Sequence, residues 1–176
     1  MLRATHVVLA PLTESDVPLL HDWINDRELV LWNAPYKPVS SAQHRAWFDA
    51  LAQRRDLAIF GVRLLDGGRL IGSCQLHSID PIHRSAELQI RIGAPDQRGK
   101  GYGTEATRLL LEHAFKDLNL HRVSLHVFAT NARAVRAYEK AGFTREGVLR
   151  EAAYVDGRYV DVIVMAVLRD GAGRPA

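Results

Sequence analysis

Gln97-Arg98-Gly99-Lys100-Gly101-Tyr102-Gly103-Thr104 is the stretch whose reading decides the fold. Before it, Ala86, Leu88, Ile90 and Ile92 alternate with Glu87, Gln89 and Arg91, which is the period of a strand over Ala86 to Ile92. After it, Ala106, Leu110 and Ala114 recur at helical spacing, as do Leu111, Phe115 and Leu118. A glycine-rich turn therefore joins a strand to a helix N-terminus. The first helical turn has N–H groups without intrahelical partners, and the helix dipole adds partial positive charge there. Glycines let this backbone approach an anion closely, and Arg98 and Lys100 add full charges. The turn reads as a phosphate site. Two nucleotide motifs fail on spacing. A P-loop needs a Gly, four residues, then Gly-Lys-Ser/Thr, and a dinucleotide fingerprint needs G-x-G-x-x-G opening a βαβ unit. Here the glycines run G-x-G-x-G, late in the chain.

The chain around this turn reads as one domain over residues 1–169, with a frayed tail at 170–176. Its 176 residues are 47% hydrophobic and 24% charged, ordinary globular values. No apolar run approaches the roughly 20 residues of a membrane span, and Met1 to His6 hold no signal-peptide core, so a cytoplasmic protein with no membrane partner is expected. One cysteine, Cys74, excludes an internal disulfide. A net charge of +3 is too mild to argue for nucleic acid and suits an anionic cofactor equally well.

Val7 to Leu12 reads as a strand, followed by a helix with Thr13 as N-cap and Val17, Leu20, Trp23 and Ile24 as its buried stripe. Arg27 to Pro38 reads as a loop carrying Trp32, Asn33 and Tyr36, aromatics that either wall a cleft or pack on the core. Ser40 or Ser41 caps a second helix to about Gln53, with Ala46, Trp47, Ala50 and Leu51 as its apolar face. Leu57 to Leu65 and Leu70 to His77 form a hairpin through Asp66-Gly67-Gly68. His121 to Ala129 is a further strand. Asn131 opens a helix that Gly142 ends. Phe143 to Leu149 and Arg158 to Leu168 are strands joined by a loop containing Asp156-Gly157.

Arg98, Gly101 and Gly103 fit the pattern R/Q-x-x-G-x-G/A. Asn131, Ala134, Tyr138, Gly142 and Phe143 fit N-x-x-A-x-x-x-Y-x-x-x-G-F. The two signatures, in this order, resemble the GNAT superfamily of acetyl-CoA-dependent N-acetyltransferases. His83 to Ile90, Glu146 to Glu151 and Asp156 to Tyr159 resemble the branch holding ribosomal-protein N-terminal acetyltransferases and bacterial spermidine N-acetyltransferase. The resemblance implies an α/β (α+β) fold: a mixed, mostly antiparallel twisted sheet with helices on both faces. Two central strands, Glu87 to Ile92 and Arg122 to Phe128, would splay apart to admit the cofactor's pantetheine arm. It also makes a homodimer an expectation.

The same resemblance implies the site. Arg98, Gly99, Lys100, Gly101, Tyr102, Gly103 and Thr104 would hold the pyrophosphate of acetyl-CoA, Ile90, Arg91 and Ile92 the pantetheine and the developing oxyanion, and Asn131 the pantetheine or a bridging water. As a residue, Asn131 also reads as a plain N-cap. Tyr138 would be the general acid for the thiolate, its phenol pKa of about 10 lying near that of a thiol. Glu87 is the candidate base, through a water, against a plain surface glutamate; His83 and His77 are weaker candidates. Trp32, Tyr36, Glu87 and Tyr154 would bound the acceptor. Cys74 reads as a small buried residue rather than a nucleophile. No His or Cys pair has metal-ligand spacing with a second pair behind it, so no metal is expected. Arg133 and Arg136 either reach phosphates or lie on a solvated face. Where the polyamine enzyme carries carboxylates, this chain has Asn33, Ala34, Lys37, Gln75 and Ser78, which argues against a polycation. The expected acceptor is a primary amine of a small molecule (amino sugar, aminoglycoside-like amine or polyamine). A protein N-terminus such as that of a ribosomal protein is the alternative, and a non-catalytic CoA-binding module the further one.

Overall fold

The computed structural model describes residues 1–169 of the chain; the segment 170–176, read above as a frayed tail, lies outside them. The elements are β1 (Leu2–Arg3), β2 (Val7–Ala10), α1 (Val17–Asn25), α2 (Arg27–Val30), α3 (Ser41–Ala50), β3 (Ala58–Leu64), β4 (Leu70–Asp80), β5 (Ser85–Ile92), α4 (Tyr102–Glu112), β6 (Arg122–Phe128), α5 (Ala132–Ala141), β7 (Thr144–Val155) and β8 (Arg158–Leu168). All eight strands form one sheet in the order β1-β2-β3-β4-β5-β6-β8-β7. Every neighbouring pair is antiparallel except β5 and β6. This is the mixed, mostly antiparallel sheet that the two signatures imply.

The alternating residues sort onto two faces. On one face α4 packs against β2, β4 and β5, and α5 lies beside α4. Ala106, Leu110 and Ala114, the stripe read from the sequence, are fully buried there among Leu9, Val62, Ile71 and Leu76. The opposite face carries α1, α2 and α3. Trp23 of α1 packs against Gly93, where any side chain would overlap the indole. Asp16, almost wholly buried, accepts two bonds at 2.6 and 2.7 Å from Arg63 of β3 and clamps the start of α1 to the sheet. Such a pair matters most when broken, because one charge is then left buried alone. Among the described residues no helix is long and apolar enough to cross a membrane.

Three expectations change. Arg27 to Pro38 is not loop throughout: Asp26 caps the short helix α2 by accepting from Leu29 N. The apolar face expected on α3 is rotated. Ala46 and Ala50 are exposed and Trp47 is 38% exposed, whereas His44 is buried and Phe48 and Leu51 half-buried. The helix sits at the rim over α1, so its partner and not its composition selects the inward side. β7 does not stop at Leu149 but runs to Val155, absorbing register shifts at Arg145/Gly147 and Leu149/Ala153. Glu151 takes a left-handed φ of 51° at the second shift, with its N–H bonded to Asp161. Asp156 and Gly157, both left-handed, are then a two-residue hairpin turn.

Candidate active site

β5 and β6 pair only at Ser85–Arg122, Ala86–Val123 and Glu87–Ser124. Beyond Glu87 the two strands part, and the facing edges of Leu88–Ile92 and Leu125–Phe128 carry no ladder between them. The expected splay therefore begins after the third pair. At its open end β5 runs through Gly93 into a 3₁₀ turn, Pro95–Gln97, and then the glycine loop. Gly99 and Gly101 have φ of 80° and 89°, left-handed values that favour glycine. Gly101 is the N-cap of α4. The Tyr102, Gly103 and Thr104 N–H groups lie in the unpartnered first turn of this eleven-residue helix. Arg98 does not project its charge outward: Nε and Nη2 donate to the Ile92 and Gly93 carbonyls at 3.2 and 2.7 Å and fasten the loop to β5. Lys100 Nζ is held only loosely, 3.3 Å from Gln97 Oε1. Glu105, the acid of the same turn, is turned to the far end of the chain: its carboxylate accepts from the His6 and Val7 N–H groups at 2.6 and 3.2 Å, bonds that hold it ionised.

A cavity of about 270 Å³ runs from this loop along the freed end of β5 to α5. Its walls include Ile90, Arg91 and Ile92, the loop residues Arg98, Gly99, Gly101, Tyr102, Gly103 and Thr104, and Asn131 and Tyr138 of the α5 region. The two signatures, far apart in sequence, thus meet at one space. Tyr138 packs edge-on to Phe143 and is 8% exposed. Burial raises its pKa to about 12, so the phenol is a weaker acid than the value of 10 assumed from sequence, and its proton is secure. A thiolate leaving into the same apolar space is disfavoured for the same reason, which narrows the mismatch. Asn131 uses both ends internally: Oδ1 accepts from Ala134 N and Nδ2 donates to the Trp32 carbonyl. It caps α5 and ties the α2 loop to it. Lys100 is absent from the cavity wall, while Arg133 and Arg136 are part of it.

A second cavity, about 460 Å³, lies on the α1–α3 side. Trp23, Ile24, His44, Trp47, Gln75, Gln89 and Arg91 are among its walls, and it shares Ile90 and Arg91 with the first. The expected acceptor residues are only partly here. Trp32 lines the first cavity; Tyr36 lines neither. Tyr154 is 56% exposed, stacked edge-on with Tyr159 on the hairpin arm, and also lines neither. Glu87 stands at the last β5–β6 rung, outside both walls, with His126 Nδ1 3.4 Å from its carboxylate. His77 is its cross-strand partner in β4. Sequence reasoning missed Trp23 and Trp47 as cavity walls because it assigned both to helix core stripes. It missed His126, although the period-2 pattern from Ser124 puts it on the Glu87 face. Cys74 is buried with its thiol pKa pushed far up by desolvation, which disables it as a nucleophile. Among the described residues no three metal-binding side chains cluster.

Comparison with known proteins gives the family and the same fold. The model of a family described as acetyltransferase (GNAT) domain matches residues 6–144. The spermidine N(1)-acetyltransferase of Vibrio cholerae is 34% identical over 140 residues, 77% of this chain and 78% of that protein. The aminoglycoside N(6')-acetyltransferase type 1 of Klebsiella pneumoniae is 28% identical over 149 residues, 77% of this chain and 72% of that protein. The crystal structure of the Vibrio cholerae spermidine enzyme in complex with CoA and spermine superposes with a TM-score of 0.85, at 35% identity, over 92% of this chain and 95% of that one.

Proposed function

The chain belongs to the GNAT acetyltransferase family, and we propose that it transfers the acetyl group of acetyl-CoA directly to the primary amine of a small molecule, with no acyl-enzyme. The observation that carries this is the strand splay, with a glycine-cradled helix N-terminus at one end of its cavity and the Tyr138 phenol on its wall. The residues present fit the cofactor: donors without partners for a pyrophosphate, left-handed glycines beneath them, and two strand edges without a mutual ladder for an extended amide-bearing arm. Acetyl-CoA supplies the thioester. In this reading N–H groups of the freed β5 edge near Ile90–Ile92 donate to the carbonyl oxygen as it gains charge. Tyr138 delivers its proton to the sulfur. Glu87, flanked by His126, accepts the amine proton through water, since it stands outside the cavity walls. The second cavity supports a small acceptor over a polypeptide terminus: about 460 Å³ suits a small molecule, and Trp23, Trp47 and the β4–β5 face bound it.

A thiol-release assay with acetyl-CoA over a panel of primary amines tests the proposal. Release that depends on the amine is expected. Tight CoA binding without release for any amine would replace it with a non-catalytic CoA-binding module.

A further inference from the structure

Two side-chain polar atoms are buried without a partner among the described residues, His44 Nε2 and Arg91 Nε, and both residues line the larger cavity. His44 is 6% exposed and stacked on Trp47, with ring centres 4.9 Å apart. Burial and the neighbouring His21 hold its pKa below the usual value, against a hydrogen bond to the Val17 backbone that raises it, so the ring favours its neutral form and Nε2 alone is left for a further polar contact. Arg91 keeps its charge at any ordinary pH yet forms no ion pair among the described residues; Asp26 reaches it only through its field. A guanidinium with its Nε buried and unpartnered is costly, and a ligand oxyanion on it would relieve that cost. The rest of the cavity offers a cation no carboxylate, only the tryptophan faces and neutral oxygens. No Asp or Glu lines it, and Gln75 donates to Gln89 at 2.7 Å, so their amides partly satisfy each other. Leu20, Trp23, Ile24, Val39 and Ile59 supply an apolar body site.

We infer that this cavity is the acceptor site, and that the acceptor is an amine carrying an oxyanion, a carboxylate or its like, on an apolar or aromatic body, with the oxyanion on Arg91 and His44 as the second polar contact. The inference rests on the N-acetyltransferase reading and gives it a substrate class. Ile90 and Arg91 belong to both cavities, so an acceptor held at Arg91 has its amine beside the wall along which the cofactor arm would run.

The test is thiol release with three probes: phenylalanine, phenylalaninamide and spermidine. The amide's amine is less basic than that of the acid, so amine deprotonation alone favours the amide. The expected result is the reverse, kcat/KM higher for phenylalanine by about tenfold or more, the value of one charge-assisted hydrogen bond. Spermidine should be the poorest of the three. Arg91→Met should bring acid and amide within about threefold of one another, with a cooperative thermal melt without ligand showing that the variant is folded. Gln89→Glu, at an exposed position, should raise spermidine turnover and lower that of phenylalanine, and it tests the charge argument even if Arg91→Met does not fold. Amide turnover equal to or above that of the acid, spermidine preferred by the wild type, or turnover of none of the three overturns the inference. If CoA itself does not bind, the N-acetyltransferase reading fails first.

Discussion

A phenol deprived of water keeps its proton, and this governs what Tyr138 can do. At neutral pH the group keeps its proton and can donate it, and Tyr138→Phe removes that donor while leaving the ring against Phe143. Loss of a positioned general acid costs on the order of 10²-fold or more in rate. Turnover should fall by that order, with CoA affinity within about threefold of wild type, as expected for an interaction made in the transition state. The pKa near 12 adds a stability test. The folded pKa is raised above the unfolded value of about 10, so the folded state holds this proton more tightly. The associated stability is complete below pH 10 and is lost as pH rises through 12. At pH 11 the wild type should have lost about 1.4 kcal/mol relative to Tyr138→Phe, read from the difference between urea melts at pH 8 and pH 11. Tyr138 and Asn131 were legible because their spacing is a signature. His44 and Arg91 were not, since an orphaned polar atom is a property of the packing around it and leaves no trace in local pattern.

At the scale of elements the loop before α4 separates two roles of glycine. Gly101 sits at φ 89° with no atom within 4 Å of the space a Cβ would take, so its constraint is backbone angle alone. Gly103 lies in the first turn of α4 without a left-handed φ, and the nearest neighbour of an added Cβ is Ile92 Cγ1 at an ordinary 3.7 Å. Gly101→Ala should cost roughly 1–2 kcal/mol of stability. Gly103→Ala should leave stability equal or slightly higher, as alanine favours helix, yet weaken CoA by about tenfold or more through loss of close approach to the first-turn N–H groups. Calorimetric CoA titration beside thermal melts reads both. Unchanged CoA affinity in Gly103→Ala would exclude the loop as the pyrophosphate site. The strands and α4 were readable from alternation and helical spacing. α3 was misread because a helix with apolar residues on several sides does not declare which side meets its neighbour. β7 was cut short because a bulged strand breaks the period-2 signal at the shift, here around Glu151.

For the whole molecule the consequence of the splay is mechanical as well as chemical. Only three ladder pairs join the part built on β1–β5 to the part built on β6, β8 and β7. Further bridges among the described residues include the α4–α5 contact, the Asn131–Trp32 hydrogen bond, the hydrogen bonds of Arg84 with Asn119, His121 and Arg122, the Glu87–His126 contact and the exposed Arg27–Asp156 ion pair. An exposed pair of that kind contributes about 1 kcal/mol or less. A ligand filling the first cavity would touch β5 and the α4 loop on one side and Asn131, Ala134 and Tyr138 on the other. It would therefore tie the two parts together beside the short β5–β6 ladder. Binding to the native state alone stabilises by mass action, about 2.7 kcal/mol at one hundred times Kd. For a chain of 176 residues that corresponds to roughly 5–11 °C in Tm. Hydrogen exchange should localise the effect, with amides of β5 beyond Glu87 and of β6 beyond Ser124 gaining protection with CoA, because those edges lack a mutual ladder without it. A Tm rise with protection confined to the α4 loop would mean that the cofactor binds at the helix end and does not enter the splay, and the direct-transfer geometry would then have to be abandoned.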